Sequence, residues 1–180
     1  MVPNHPPVLA FEFSQTKNRR RFDMDTTKLK SLLRSHALHI AEVKGWASEG
    51  EGQPFYRAWL HAELLLRLDM LIIEHRKAFA TDWKPLLGYE ALNHLLFVRT
   101  GWMPNQIKSL SFDDILLVLH EALKALHIPP EALELPEQVK GGRAYELHRS
   151  EPYRIELPPC SKEEWDPTLS EKVQGLRKPF

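Results

Sequence analysis

The sequence predicts a mainly α fold, an antiparallel bundle of about four helices with extended N- and C-terminal arms. Three observations predict it. Prolines are sparse in the middle and dense at the ends: of 14, only Pro54, Pro85 and Pro104 fall between residues 26 and 126, while Pro3, Pro6 and Pro7 precede that stretch and eight follow it. Proline lacks an amide donor and opposes helix interiors, so the middle reads as helical. Apolar residues in that middle recur at three-and-four spacing. With 43% hydrophobic and 27% charged residues, the 180-residue chain has the composition of a globular domain. The expected organisation is an arm over residues 1–25, a bundle over 26–135 and a proline-rich arm over 136–180.

The first helix is expected from Thr26 to Lys44, with Leu29, Leu32, Leu33, His36, Ala37, Ile40 and Val43 on one face. Asp25 or Thr26 supplies a side-chain oxygen for its free amides, and Gly45 ends it. Pro54 opens a second helix, Phe55 to Ala80, apolar on nearly every side and therefore central. Glu63 and Arg67, four apart in the favourable order, read as a surface ion pair. A break at Thr81–Pro85 precedes a third helix, Leu86 to Thr100, closed by Gly101. Pro104 suits the first turn of a short helix. Ser111 with Asp114 forms a capping box for a helix from Phe112 to Leu126, stapled by Leu110 and Ile115. Pro129-Pro130 ends it, before a single turn at Glu131–Leu135.

In the arms, Val8–Phe13, Arg143–His148 and Tyr153–Leu157 read as strand candidates for a small β-hairpin or sheet. The polar tail, with Cys160 between Pro158-Pro159 and Ser161-Lys162, is expected to be extended, and its thiol exposed.

The chemistry-bearing residues exclude more than they establish. One cysteine rules out an internal disulfide framework and a cysteine-rich zinc module. His36-x-x-His39 lies on a predicted helix, but two imidazoles do not complete a zinc set, and His36 sits in the apolar face, which favours packing. His61-Ala62-Glu63 is similar to the His-x-Glu half of the zinc nucleobase deaminases, whose second half is Pro-Cys-x-x-Cys. Here Pro159-Cys160 is followed by Glu163 where the second thiolate belongs, so that reading is rejected. The chain has no Gly-x-Ser-x-Gly, phosphate-cradling loop or dinucleotide fingerprint. No catalytic residue, metal ligand or cofactor is assigned.

The expected function is therefore non-enzymatic: a protein–protein interaction or assembly protein, such as an adaptor, structural subunit or immunity-type inhibitor. Its partner is another protein or a second copy. The residues assigned to partner binding are Phe11, Phe13, Tyr145, Tyr153, Trp165 and Phe180 in the arms, the basic run Arg19, Arg20 and Arg21, and Trp102. Aromatic residues in extended segments suit grooves and sheet edges.

The alternative is a small DNA-binding regulator of helix-turn-helix type over Phe97–Leu110. Against it stand equal totals of 24 basic and 24 acidic residues and the missing Arg or Lys at the start of the second helix. The pattern Gly101-Trp102-x-Pro104-x-x-Ile107-x-x-Leu110-Ser111-x-x-Asp114-Ile115 resembles short helical segments in small tail-assembly proteins of tailed bacteriophages. That resemblance implies a phage-related assembly role. No membrane span or secretory signal is expected, which gives a cytoplasmic location.

Overall fold

The computed structural model describes residues 24–46, 56–141 and 157–177. Within these it is helical, and none of the described residues forms a β-strand. The strand candidates at 8–13 and 143–148, and all of 153–157 except Leu157, lie outside the described residues.

Helix α1 spans Thr26–Lys44. Asp25 accepts the Thr27 amide at 3.3 Å, and Gly45, at φ 64°, returns its amide to the last turn. The buried face is Leu29, Leu32, Leu33, His36, Ala37, Ile40 and Ala41. Val43, assigned above to that face, is exposed, and Ala41 takes its place.

Helix α2, Tyr56–Phe79, packs most extensively against α1 and also touches the third helix and the end of the Phe112–Leu126 segment. Leu65, Leu66, Leu68, Met70, Leu71, Ile72 and Ile73 are all buried, as an all-round apolar helix requires.

After α2, Thr81 and Lys84 pair across a tight turn. Helix α3 is Gly88–Thr100, two residues shorter than expected at its start. The cause is Leu86, which takes a left-handed φ of 52°, an uncommon conformation for a side chain of this size. The turn is held from two sides. Arg76 Nε donates to the Leu86 carbonyl at 2.9 Å, and the Gly88 amide donates to Glu171 Oε1 at 2.6 Å.

Helix α4, Pro104–Lys108, begins with proline as expected. The Ser111–Asp114 box opens α5, Phe112–Val118, with the Asp114 amide donating to Ser111 Oγ at 3.1 Å. The expected helix to Leu126 bends at Leu119 (φ −90°, ψ −2°), which separates α5 from α6, His120–Ala125. Leu119 is fully buried at that bend. A 3-10 turn at Pro130–Leu133 packs on α1, and α7 is the single turn Glu137–Lys140.

The tail departs most from expectation. Over residues 157–177 it is not an extended arm: a 3-10 turn, Lys162–Glu164, leads into α8, Pro167–Val173, and both pack against α1. Cys160 and Trp165 join the same hydrophobic core as the α1–α2 pair. The local cause is capping. The Ser161 amide donates to Glu164 Oε1 at 2.6 Å, and Asp166 accepts the Thr168 amide at 2.9 Å with Pro167 at the first helical position.

Candidate functional site: an exposed aromatic strip and a buried polar seam

Two features stand apart from ordinary core and surface. The first lies on the outer faces of α2 and α3. The rings of His75 and Phe79 on α2 lie 4.6 Å apart, Phe79 and His94 5.7 Å, and His94 and Phe97 6.5 Å. His75 Nε2 and His94 Nδ1 are hydrogen-bonded at 2.7 Å, which ties the two helices together beneath the strip. The histidines are largely covered, but Phe79 is 46% and Phe97 45% exposed. Val98 on α3, and Trp102 and Met103 just after its end, are also exposed apolar side chains. Apolar rings gathered on one face, rather than scattered singly, are the usual mark of an interaction site. Burial, reinforced by electrostatic interaction with His94 and by the positive charges of Arg99 and Arg76, holds His75 down at about 4 from an ordinary 6.5.

The second feature is a seam of buried polar contacts between the tail and the bundle. Asp69, on α2, is fully buried; its Oδ2 lies 2.7 Å from His36 Nε2, and its Oδ1 accepts the Trp165 indole N–H at 2.9 Å. Trp165 also stacks on Phe112 and meets Tyr89 edge-on. Glu171, also fully buried, takes the Gly88 amide, the Arg177 guanidinium at 2.5 Å and the Arg76 guanidinium at 3.5 Å. Each buried charge thus has a partner, as burial demands.

The seam's third group joins His61 of α2 to the tail. His61 Nδ1 lies 2.5 Å from Glu164 Oε2, while Lys44 Nζ lies 3.0 Å from Glu164 Oε1. Burial raises the Glu164 carboxyl pKa, but hydrogen bonds from His61, the Ser161 amide and Lys44 outweigh it and hold the group at about 2. Cys160 donates its thiol hydrogen to Glu164, and burial together with the Glu164 charge pushes that thiol well above its ordinary range. The exposed tail thiol expected from the sequence is therefore a buried one, 6% exposed.

The assigned partner-binding residues divide three ways. Trp102 is partly exposed and borders the aromatic strip in sequence. Trp165 is 2% exposed and packs inside its own chain. Phe11, Phe13, Arg19, Arg20, Arg21, Tyr145, Tyr153 and Phe180 lie outside the described residues. His36 and His39 do not converge: His36 meets Asp69, whereas His39 Nε2 donates to the Glu163 carbonyl at 3.0 Å. Glu63 pairs with Arg67 as expected, but Arg67 also donates to the carbonyls of Leu123 and Leu126, at 3.3 and 3.0 Å. The second helix of the helix-turn-helix reading, α4, has five residues.

Phe79, Phe97, Val98 and Met103 were not among the residues assigned to partner binding from the sequence. The signal was present in α3, where His94, Phe97 and Val98 share one face while Ala91, Leu92, Leu95 and Leu96 occupy the other. Nor were Glu164 and Asp69 assigned as partners of His61 and His36. No helix among the described residues is long and apolar enough to cross a membrane. No protein-family model matches the chain, and no curated protein and no solved structure matches it, so geometry and chemistry carry the functional reading.

Proposed function

We propose that this chain is a non-enzymatic assembly protein, a helical bundle that binds a second copy of itself through the strip Phe79–His94–Phe97 and the exposed side chains of Val98, Trp102 and Met103. The observation that carries this reading is the pair of half-exposed phenylalanines brought together from α2 and α3 around His94. Leaving those rings in water is unfavourable by about 25 cal/mol per Å² of apolar surface, and covering them recovers that cost. The His75–His94 hydrogen bond fixes the two helices, so the strip is offered already formed and little ordering is needed on docking. Equal numbers of cationic and anionic residues leave no long-range repulsion between copies. Aromatic residues and methionine, enriched at the centres of protein interfaces, make up most of the strip.

Light scattering on the eluting protein tests the reading. The wild-type chain is expected to run as a dimer at micromolar concentration. Phe97→Asp, which alters an exposed ring and leaves the core intact, is expected to run as a monomer with an unchanged circular dichroism spectrum. A wild-type monomer up to about 100 μM, a concentration at which a specific interface is populated, overturns the proposal. So does a Phe97→Asp dimer.

A further inference from the structure

The His61–Cys160–Glu164 group has a property the rest of the seam lacks. A ring nitrogen of His61, Sγ of Cys160 and a carboxylate oxygen of Glu164 all lie within 4.8 Å of one another, and all three residues are buried. Nitrogen, sulfur and oxygen donors of these types are those that zinc takes, at about 2.0–2.1, 2.3 and 2.0–2.2 Å. Two such ligands at a tetrahedral ion stand about 3.4 Å apart, so His61 Nδ1 and Glu164 Oε2, now 2.5 Å apart, separate by about 0.9 Å to admit one. The other carboxylate oxygen is already held by the Ser161 amide at 2.6 Å and Lys44 at 3.0 Å, an outer layer of donors that fixes the orientation of a ligating carboxylate. His61 comes from the second turn of α2, whereas Cys160 lies two residues before the 3-10 turn of the tail and Glu164 ends it.

We propose that His61, Cys160 and Glu164 form a zinc-binding site that clamps the C-terminal segment onto α2. On binding, Cys160 releases its thiol proton to solvent, and the proton on His61 Nδ1 is exchanged through solvent to Nε2, which frees the Nδ1 lone pair for the ion. The thiolate and the carboxylate then offset the two charges of the ion, and water takes the fourth position. A metal competes successfully for a protonated thiol of this kind because coordination deprotonates it outright. The clamp answers a structural need. The tail is a three-residue 3-10 turn and a seven-residue helix, lengths that do not persist without tertiary anchorage.

The test uses the full-length chain and cobalt(II) as a spectroscopic stand-in for zinc. Cys160 is the chain's one cysteine, so a thiolate-to-cobalt charge-transfer band reports this site alone. The expected result is one cobalt per chain with that band at pH 8, displaced by one equivalent of zinc. Cys160→Ala is expected to keep the wild-type circular dichroism spectrum and lose the band, and its zinc affinity should fall at least about tenfold. His120→Ala, which removes a surface imidazole outside the site, is expected to change neither. No cobalt bound to the folded protein, cobalt bound without a thiolate band, or zinc affinity unchanged in Cys160→Ala each overturns the proposal. Glu164→Gln gives a second reading where it folds: retention of full zinc affinity also overturns the assignment.

Discussion

Replacing Trp165 by alanine removes the side chain that joins the tail to the bundle. The ring is 2% exposed, stacked on Phe112 with centroids 6.0 Å apart and edge-on to Tyr89 at 4.9 Å. Truncating a buried tryptophan costs about 3–5 kcal/mol in lost transfer energy and cavity. Here the same change takes the indole N–H away from Asp69 Oδ1, and leaving a buried acceptor unpaired costs about 1–3 kcal/mol. The two overlap in part, so a total near 5 kcal/mol is expected, against a whole-domain stability of about 5–15 kcal/mol. Urea denaturation followed by circular dichroism measures it. Trp165→Phe separates the contributions: it keeps an aromatic ring beside Phe112 and loses the hydrogen bond, so about 1–3 kcal/mol is expected. Trp83→Ala is the control, since Trp83 is 85% exposed and its loss should stay within about 0.5 kcal/mol. A Trp165→Ala midpoint equal to that of Trp83→Ala would refute the claim that the tail completes the core.

Two further outcomes test other parts of the account. Arg67→Ala should cost about 1–2 kcal/mol by urea denaturation, because it frees the Leu123 and Leu126 carbonyls, whereas Glu63→Ala should cost no more than about 0.5 kcal/mol; equal losses would contradict the capping role. His75, held at about 4 in the folded chain against 6.5, takes up a proton in the unfolded chain first, so its contribution to stability is full above pH 6.5 and lost as pH falls towards 4. His75→Gln should flatten the slope of the urea midpoint against pH across that window, and an unchanged slope would contradict the assignment.

Local signals were legible in the sequence wherever the determinant was local. The bounds of α1, the proline start of α4 and the Ser111–Asp114 box each follow from caps and periodicity within a few residues, and the structure places them as read. Leu86 was not legible. Its left-handed turn is stabilised by Arg76 and by the neighbouring contact with Glu171, 83 residues from Gly88 in sequence. The tail misled for two reasons. Its prolines suggested extension, yet Ser161-x-x-Glu164 and Asp166-Pro167 are helix-start signatures that outweigh them once apolar residues have a surface to meet. Its buried partners are also remote: His61 and Glu164 are 103 residues apart, and Asp69 and Trp165 are 96 apart. No hydrophobic period encodes such pairings. The rejected deaminase likeness shows the same limit. It set Cys160 against His61 with Glu63 as the acidic residue and lacked the second thiolate at Glu163, whereas the fold turns Glu63 to Arg67 and brings Glu164 to His61.

The most direct measurement of the central claim is site-specific photo-crosslinking. A photoreactive phenylalanine analogue is placed at position 97, with the same analogue at Trp83 as a control. A crosslinked dimer from position 97 alone, mapped by mass spectrometry to α2 or α3 of the second copy, is the predicted result. Absence of crosslinking at 97, or equal crosslinking from both positions, would contradict the account.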